Sequence, residues 1–153
     1  MRASLTTEHV ARPFPSPGIT ILVVDDEPIA RRVAYRLLSE EGYRVFEADG
    51  FDEALDTLRQ ASGRIDLLVV DAVMPGCDGV TLVRRVQEQW AGIKVLYMSA
   101  HPAEILARQG LSALDVIFLA KPYTRDELVA KVRQALDRRS LLRRPSQQPN
   151  QTD

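Results

Sequence analysis

Only one cysteine, Cys77, occurs in the 153 residues, so no internal disulfide can staple the chain; this fits a reducing cytoplasm without requiring one. No apolar run approaches the roughly 20 residues needed to cross a bilayer. Arg2, Glu8 and Arg12 interrupt the amino-terminal stretch where a signal peptide would carry its apolar core. A cytoplasmic location is therefore the expectation. Charge of one sign is also missing: 20 Lys and Arg stand against 21 Asp and Glu, a net charge of -1 that makes no electrostatic case for a nucleic-acid partner. At 45% hydrophobic and 27% charged, the chain has the composition of a soluble domain with one core.

Four short apolar runs each end at a chemically useful group. Ile21 to Val24 precedes Asp25-Asp26-Glu27, Leu67 to Val70 precedes Asp71, Val95 to Met98 precedes Ser99, and Val116 to Ala120 precedes Lys121. Continuous apolar strands separated by segments of helical period indicate a parallel sheet covered on both faces by helices. In such sheets the ligand site lies beyond the carboxyl ends of the strands, where all four polar groups sit.

Residues 1–18, with Pro13, Pro15, Pro17 and Gly18, read as a flexible leader. The folded part runs from 19 to 137. Pro28 suits a first helical turn, and Ile29, Val33 and Leu37 recur at i, i+4 and i+8 to give an amphipathic helix that Gly42 can cap. Val45-Phe46 marks a second strand. Ala54, Leu55 and Leu58 mark a second helix, and Leu82, Val83 and Val86 a third. Leu128, Val129, Val132 and Leu136 mark the last, opened by the capping-box-like Thr124-Arg125-Asp126-Glu127. A short fourth helix over Ala103 to Gln109 stops at Gly110, and the stretch to Asp115 is expected to be mobile or distorted. The expectation is five strands and five helices in alternation, with residues 138–153 a disordered tail.

A carboxylate attacks a phosphoryl donor poorly, because two anions repel and the transferring group spreads charge over its oxygens. Asp25 and Asp26 beside Asp71 would supply hard oxygen ligands for Mg²⁺. Lys121 can neutralise a phosphoryl oxygen, and the Ser99 hydroxyl can donate to another. Taken singly, each has an ordinary alternative: acidic residues at a helix N-terminus, a Ser cap, a solvated lysine. The joint pattern is what points to chemistry. Lys121-Pro122 follows the last strand directly, with the isomer left open.

Asp25-Asp26-Glu27, Asp71 with Met74-Pro75-Gly76 and Asp78-Gly79, Met98-Ser99-Ala100, and Phe118-Leu119-Ala120-Lys121-Pro122 together resemble the receiver domain of two-component response regulators, over about Ile19 to Asp137. The resemblance implies a flavodoxin-like (βα)5 fold with strand order 2-1-3-4-5. It implies that Asp71 accepts a phosphoryl group from a histidine kinase or a histidine phosphotransfer protein. Asp25, Asp26, Asp71 and the backbone carbonyl of Val73 would hold Mg²⁺, and Ser99 and Lys121 would bind the phosphoryl group. Ser99 and Phe118 would be the switch, remodelling the face of the fourth helix, fifth strand and fifth helix, which is also the surface the resemblance offers for a homodimer of this chain.

Some positions depart from the family's commonest pattern. Val73 and His101 fall where the family flanks the water that attacks the acyl phosphate, and an apolar Val73 cannot orient it, whereas a histidine can. The Gly110 to Asp115 stretch departs from the familiar turn, which leaves any borrowed dimer geometry open and resembles receivers at the carboxyl end of hybrid sensor kinases. A haloacid dehalogenase-type phosphohydrolase also uses a strand-end Asp, Mg²⁺ and a lysine. That class needs a second acid two residues after the nucleophile, and Val73 stands there. No helix-turn-helix follows Asp137, so direct DNA binding is not expected. The reading is a single-domain response regulator, not an enzyme in its own right, that switches protein contacts or relays phosphoryl groups; a phosphorylation-independent interaction module is the other alternative.

Overall fold

The computed structural model describes residues 18–76, 78–112 and 114–138. Cys77 and nearly all of the expected leader and tail lie outside them. In chain order the elements are β1 (Thr20–Val24), α1 (Pro28–Glu40), β2 (Arg44–Ala48), α2 (Phe51–Gln60), β3 (Leu67–Asp71), α3 (Gly79–Gln89), β4 (Lys94–Ser99), α4 (Pro102–Gln109), β5 (Phe118–Ala120) and α5 (Arg125–Leu136). The strands form one parallel sheet in the order β2-β1-β3-β4-β5. This is the parallel sheet expected from the strand-end pattern and the flavodoxin-like (βα)5 architecture and strand order that the resemblance implies.

Strand alternation divides the core in two. Leu22, Val24, Leu68 and Val70 pack with α2 and α3, while Ile21, Val23, Leu67 and Val69 pack with α1 and α5. All of β1 and β3 is buried, as befits strands covered on both faces. No described helix is long and apolar enough to cross a membrane.

Local chemistry explains most element ends. Pro28 opens α1, whose last turn closes with Gly42 N–H on the Ser39 carbonyl (3.0 Å) and Tyr43 N–H on the Leu38 carbonyl (3.2 Å). Gly42 stands at φ 101°, a left-handed value that glycine adopts without cost. Thr124 and Glu127 form the full capping box at the start of α5.

Three elements differ from expectation. The Ile29, Val33, Leu37 stripe of α1 is not its core face: Ile29 is 75% and Val33 44% exposed, and the buried residues are Ala34 and Leu38. The reason is Arg31, which donates to the Asp25 carbonyl (2.8 Å) and pairs with Glu47 on β2 (3.1 Å), turning the Arg31, Ala34, Leu38 side toward the sheet. β5 holds only Phe118–Ala120, because it pairs with β4 alone and only from Tyr97 onward. α4 begins at Pro102, one residue earlier than expected, and ends where Gly110 turns left-handed.

Candidate functional site

Strand register brings the polar groups together. Val24 pairs with Val70, so Asp25 follows β1 at the level of Asp71; Asp71 pairs with Met98, and Ser99 with Ala120. Asp25, Asp71, Ser99 and Lys121 therefore line one rim, at the point where the connections from β1 and β3 diverge to opposite sides. By alternation Asp25, Asp71 and Lys121 lie on the α1 and α5 side, whereas Ser99, Tyr97 and Phe118 lie on the other.

Lys121 bridges the two buried carboxylates. Its ammonium stands 3.1 Å from Asp25 Oδ2 and 3.0 Å from Asp71 Oδ2. Each second oxygen accepts a backbone N–H: Glu27 to Asp25 Oδ1 (3.0 Å) and Val73 to Asp71 Oδ1 (2.9 Å). Burial holds the Asp71 carboxyl above its ordinary range even though the Val73 N–H and Lys121 pull it down. For Lys121, burial works against the charge, but Asp71 and Asp25 outweigh it and the ammonium is held above its usual value. The Lys121-Pro122 bond is cis.

Asp26 is exposed and makes no hydrogen bond or ion pair among the described residues. One carboxylate oxygen from each of Asp25, Asp26 and Asp71 lies within 4.8 Å of the others, a grouping able to hold a metal ion. Three hard oxygen donors of this kind suit a small divalent cation that keeps several waters. Ser99 reaches the same rim, but its Oγ accepts the His101 backbone N–H (2.9 Å) and makes no described bond to Asp71 or Lys121. Val73 is 55% exposed beside Asp71, and His101 is exposed beside Ser99.

Two supporting contacts escaped the sequence reading. Phe118 stacks on Tyr97, with centroids 5.2 Å apart and planes 24° from parallel, although nothing in the order of residues pairs those rings. Gly79 lies against the end of β3: a Cβ there would stand 2.3 Å from the Asp71 carbonyl and 3.0 Å from Ala72 Cα. Asp78-Gly79 belongs to the motif that carries the family resemblance, but the motif does not reveal this close approach. Because those obstacles are backbone, Gly79→Ala should cost ~1–3 kcal/mol. A thermal melt of the variant within a degree of the parent chain would contradict that contact.

These strand-end groups also match a known family. The model of the response regulator receiver domain matches residues 21–133. The chain belongs to this family. It is 33% identical to sensor kinase CckA of Brucella abortus over 123 residues, 80% of this chain and 13% of that protein. It is 35% identical to transcriptional regulatory protein ResD of Bacillus subtilis over 127 residues, 83% of this chain and 49% of that one. The crystal structure of the receiver domain from the hybrid histidine kinase CckA superposes with a TM-score of 0.64 at 37% identity, covering 76% of this chain and 98% of that one. The receiver thus spans half or less of the length of these two curated relatives. It is a two-component signalling module.

Proposed function

We propose that the receiver accepts a phosphoryl group on Asp71 from the phosphohistidine of a histidine kinase or phosphotransfer protein. The bridge from Lys121 to Asp71 and Asp25 is the observation that carries this reading, since it sets a cation where charge builds on the transferring oxygens. Mg²⁺, held by Asp25, Asp26, Asp71 and the Val73 carbonyl, would neutralise the donor's phosphoryl oxygens. The Asp71 oxygen attacks phosphorus as the histidine nitrogen leaves, so one P–N bond is exchanged for one P–O bond. Val73 offers no carboxylate to act as a general acid, which weighs against phosphohydrolase chemistry on a separate substrate.

The displaced stripe of α1 supports a docking place for the donor. Ile29 and Val33 line a shallow apolar hollow together with Arg32 and Arg36, one turn from the acidic rim. An amphipathic donor helix can bury its apolar face there. In the test, a histidine-phosphorylated phosphotransfer protein is mixed with the chain and the label followed. The label should move to this chain, and Ile29→Asp should slow its transfer without changing labelling by acetyl phosphate. Equal slowing with both donors would place the defect in the pocket and overturn the docking surface.

For the switch, phosphorylation draws Ser99 toward the new phosphoryl group, releasing the His101 N–H, and Phe118 follows on the same side of the sheet. Phe has no hydroxyl, so its burial alone reports the state. Phe118→Ala should keep the phosphoryl adduct but lose the phosphorylation-dependent gain in affinity for an output partner. Unchanged dependence in that variant would remove Phe118 from the switch.

A further inference from the structure

α4 has 8 residues, about 12 Å at the helical rise. It packs on β4 and β5, and among the described residues no further helix stands between Gly110 and β5. The lower part of β4 is left uncovered on that side. A cavity of about 400 Å³ opens there between α3, β4 and the approach to β5, within the range of small-molecule sites. Its walls are apolar: Val83, Val95, Leu111, Val116 and Ile117.

Two polar features single out this cavity. Tyr97 lines it and is only 3% exposed as a residue; its hydroxyl makes no hydrogen bond among the described residues and still reaches the solvent that fills the cavity. A phenol so placed is free to donate to whatever fills the cavity. Burial pushes its ionisation up to about 12, so the group remains a donor. At the rim stand Arg84, Lys94 and Arg138 against a single carboxylate, Asp115. Arg138 donates to the Leu114 carbonyl, but Arg84 and Lys94 have no ion-pair partner among the described residues.

We infer that this cavity binds a small anionic amphiphile, its apolar ring between Val83 and Val116, an acceptor atom on the Tyr97 hydroxyl, and its acidic group at Arg84 and Lys94. The chain's own residues beyond 138 are a poorer occupant on charge, since Arg139, Arg143 and Arg144 would meet a cationic rim. Val95 lies four residues before Ser99 on β4, about 13 Å along the strand, so the site is separate from the acidic rim. Tyr97 links the two through its stack on Phe118. That link rests on the phosphoryl reading above; the site does not.

The test uses the full ¹⁵N-labelled chain titrated with 1-anilinonaphthalene-8-sulfonate, and with uncharged N-phenyl-1-naphthylamine as its counterpart. Amide shifts from both should centre on Arg84, Val95, Tyr97 and Val116. The double variant Arg84→Ala, Lys94→Ala alters the rim alone and should weaken the sulfonate about fivefold or more while leaving the uncharged probe within about twofold. Val83→Trp, which fills the cavity, should abolish both. Shifts centred on Ile29 and Val33, or a sulfonate affinity indifferent to the double variant, would overturn the site. A repeat with Mg²⁺ and beryllofluoride should change the sulfonate affinity; an unchanged value would remove the link to Phe118, while the shift map and the double variant decide the site.

Discussion

Asp71→Asn should fold and accept no phosphoryl group. The amide matches the carboxylate in shape and keeps an oxygen for the Val73 N–H, which donates to Asp71 Oδ1 at 2.9 Å. It lacks the negative charge that, in the proposed reaction, would attack phosphorus and hold the metal, so transfer from a phosphohistidine donor should fall by at least ~10³-fold, toward the limit of detection. The same variant has a pH signature. Burial raises the Asp71 carboxyl above its ordinary 3.8, so the folded chain binds a proton more tightly than the unfolded one. Stability tied to that proton is therefore present below 3.8 and is lost as pH rises through the folded-state value. Without added metal, the parent chain should lose stability relative to Asp71→Asn across that window and level off above it. Chemical denaturation at several pH values checks the sign; a parent chain that gains on the variant as pH rises would contradict the role assigned to burial.

Lys121→Ala should separate metal binding from catalysis. Its ammonium contacts both Asp25 and Asp71, so it holds the two carboxylates together but also competes with any cation they take up. Removing it leaves two unneutralised carboxylates, one of them fully buried Asp25. Mg²⁺ affinity should rise on the order of tenfold, or ~1.4 kcal/mol. The rate of phosphoryl transfer should fall by ~10²–10³-fold, as when one preorganised donor to a developing charge is lost. Calorimetric Mg²⁺ titration and the acetyl phosphate labelling rate measure the two arms. Weaker Mg²⁺ binding would mean that Lys121 organises the carboxylates more than it competes for them.

The parallel sheet and the placing of its polar ends on one edge were legible because they rest on one strong signal, while the strand order came from the family resemblance. Apolar runs ending in Asp25, Asp71, Ser99 and Lys121 mark strands buried on both faces, and a parallel sheet carries all such ends to one edge. The α1 face was not legible from spacing. Two stripes compete there, Ile29-Val33-Leu37 and Arg31-Ala34-Leu38, and the more apolar one lost because Arg31 is tied to Asp25 and Glu47 across the fold. Those partners lie off the helix, 6 and 16 residues away, so no helical period can register them. Similarly, Val116 and Ile117 carry strand-like side chains but precede the point where β5 pairs with β4. The tightness at Gly79 and the Tyr97 to Phe118 stack are set by inter-element distances of a few ångströms, which the order of residues does not encode.

Intact-mass spectrometry of the parent chain with acetyl phosphate, with Mg²⁺ and with the metal chelated, tests the central claim most directly. The account predicts a single phosphoryl adduct that requires Mg²⁺ and maps to the peptide bearing Asp71. No adduct under either condition, together with no binding of beryllofluoride in the presence of Mg²⁺, would contradict phosphoryl chemistry and leave this receiver a phosphorylation-independent interaction module.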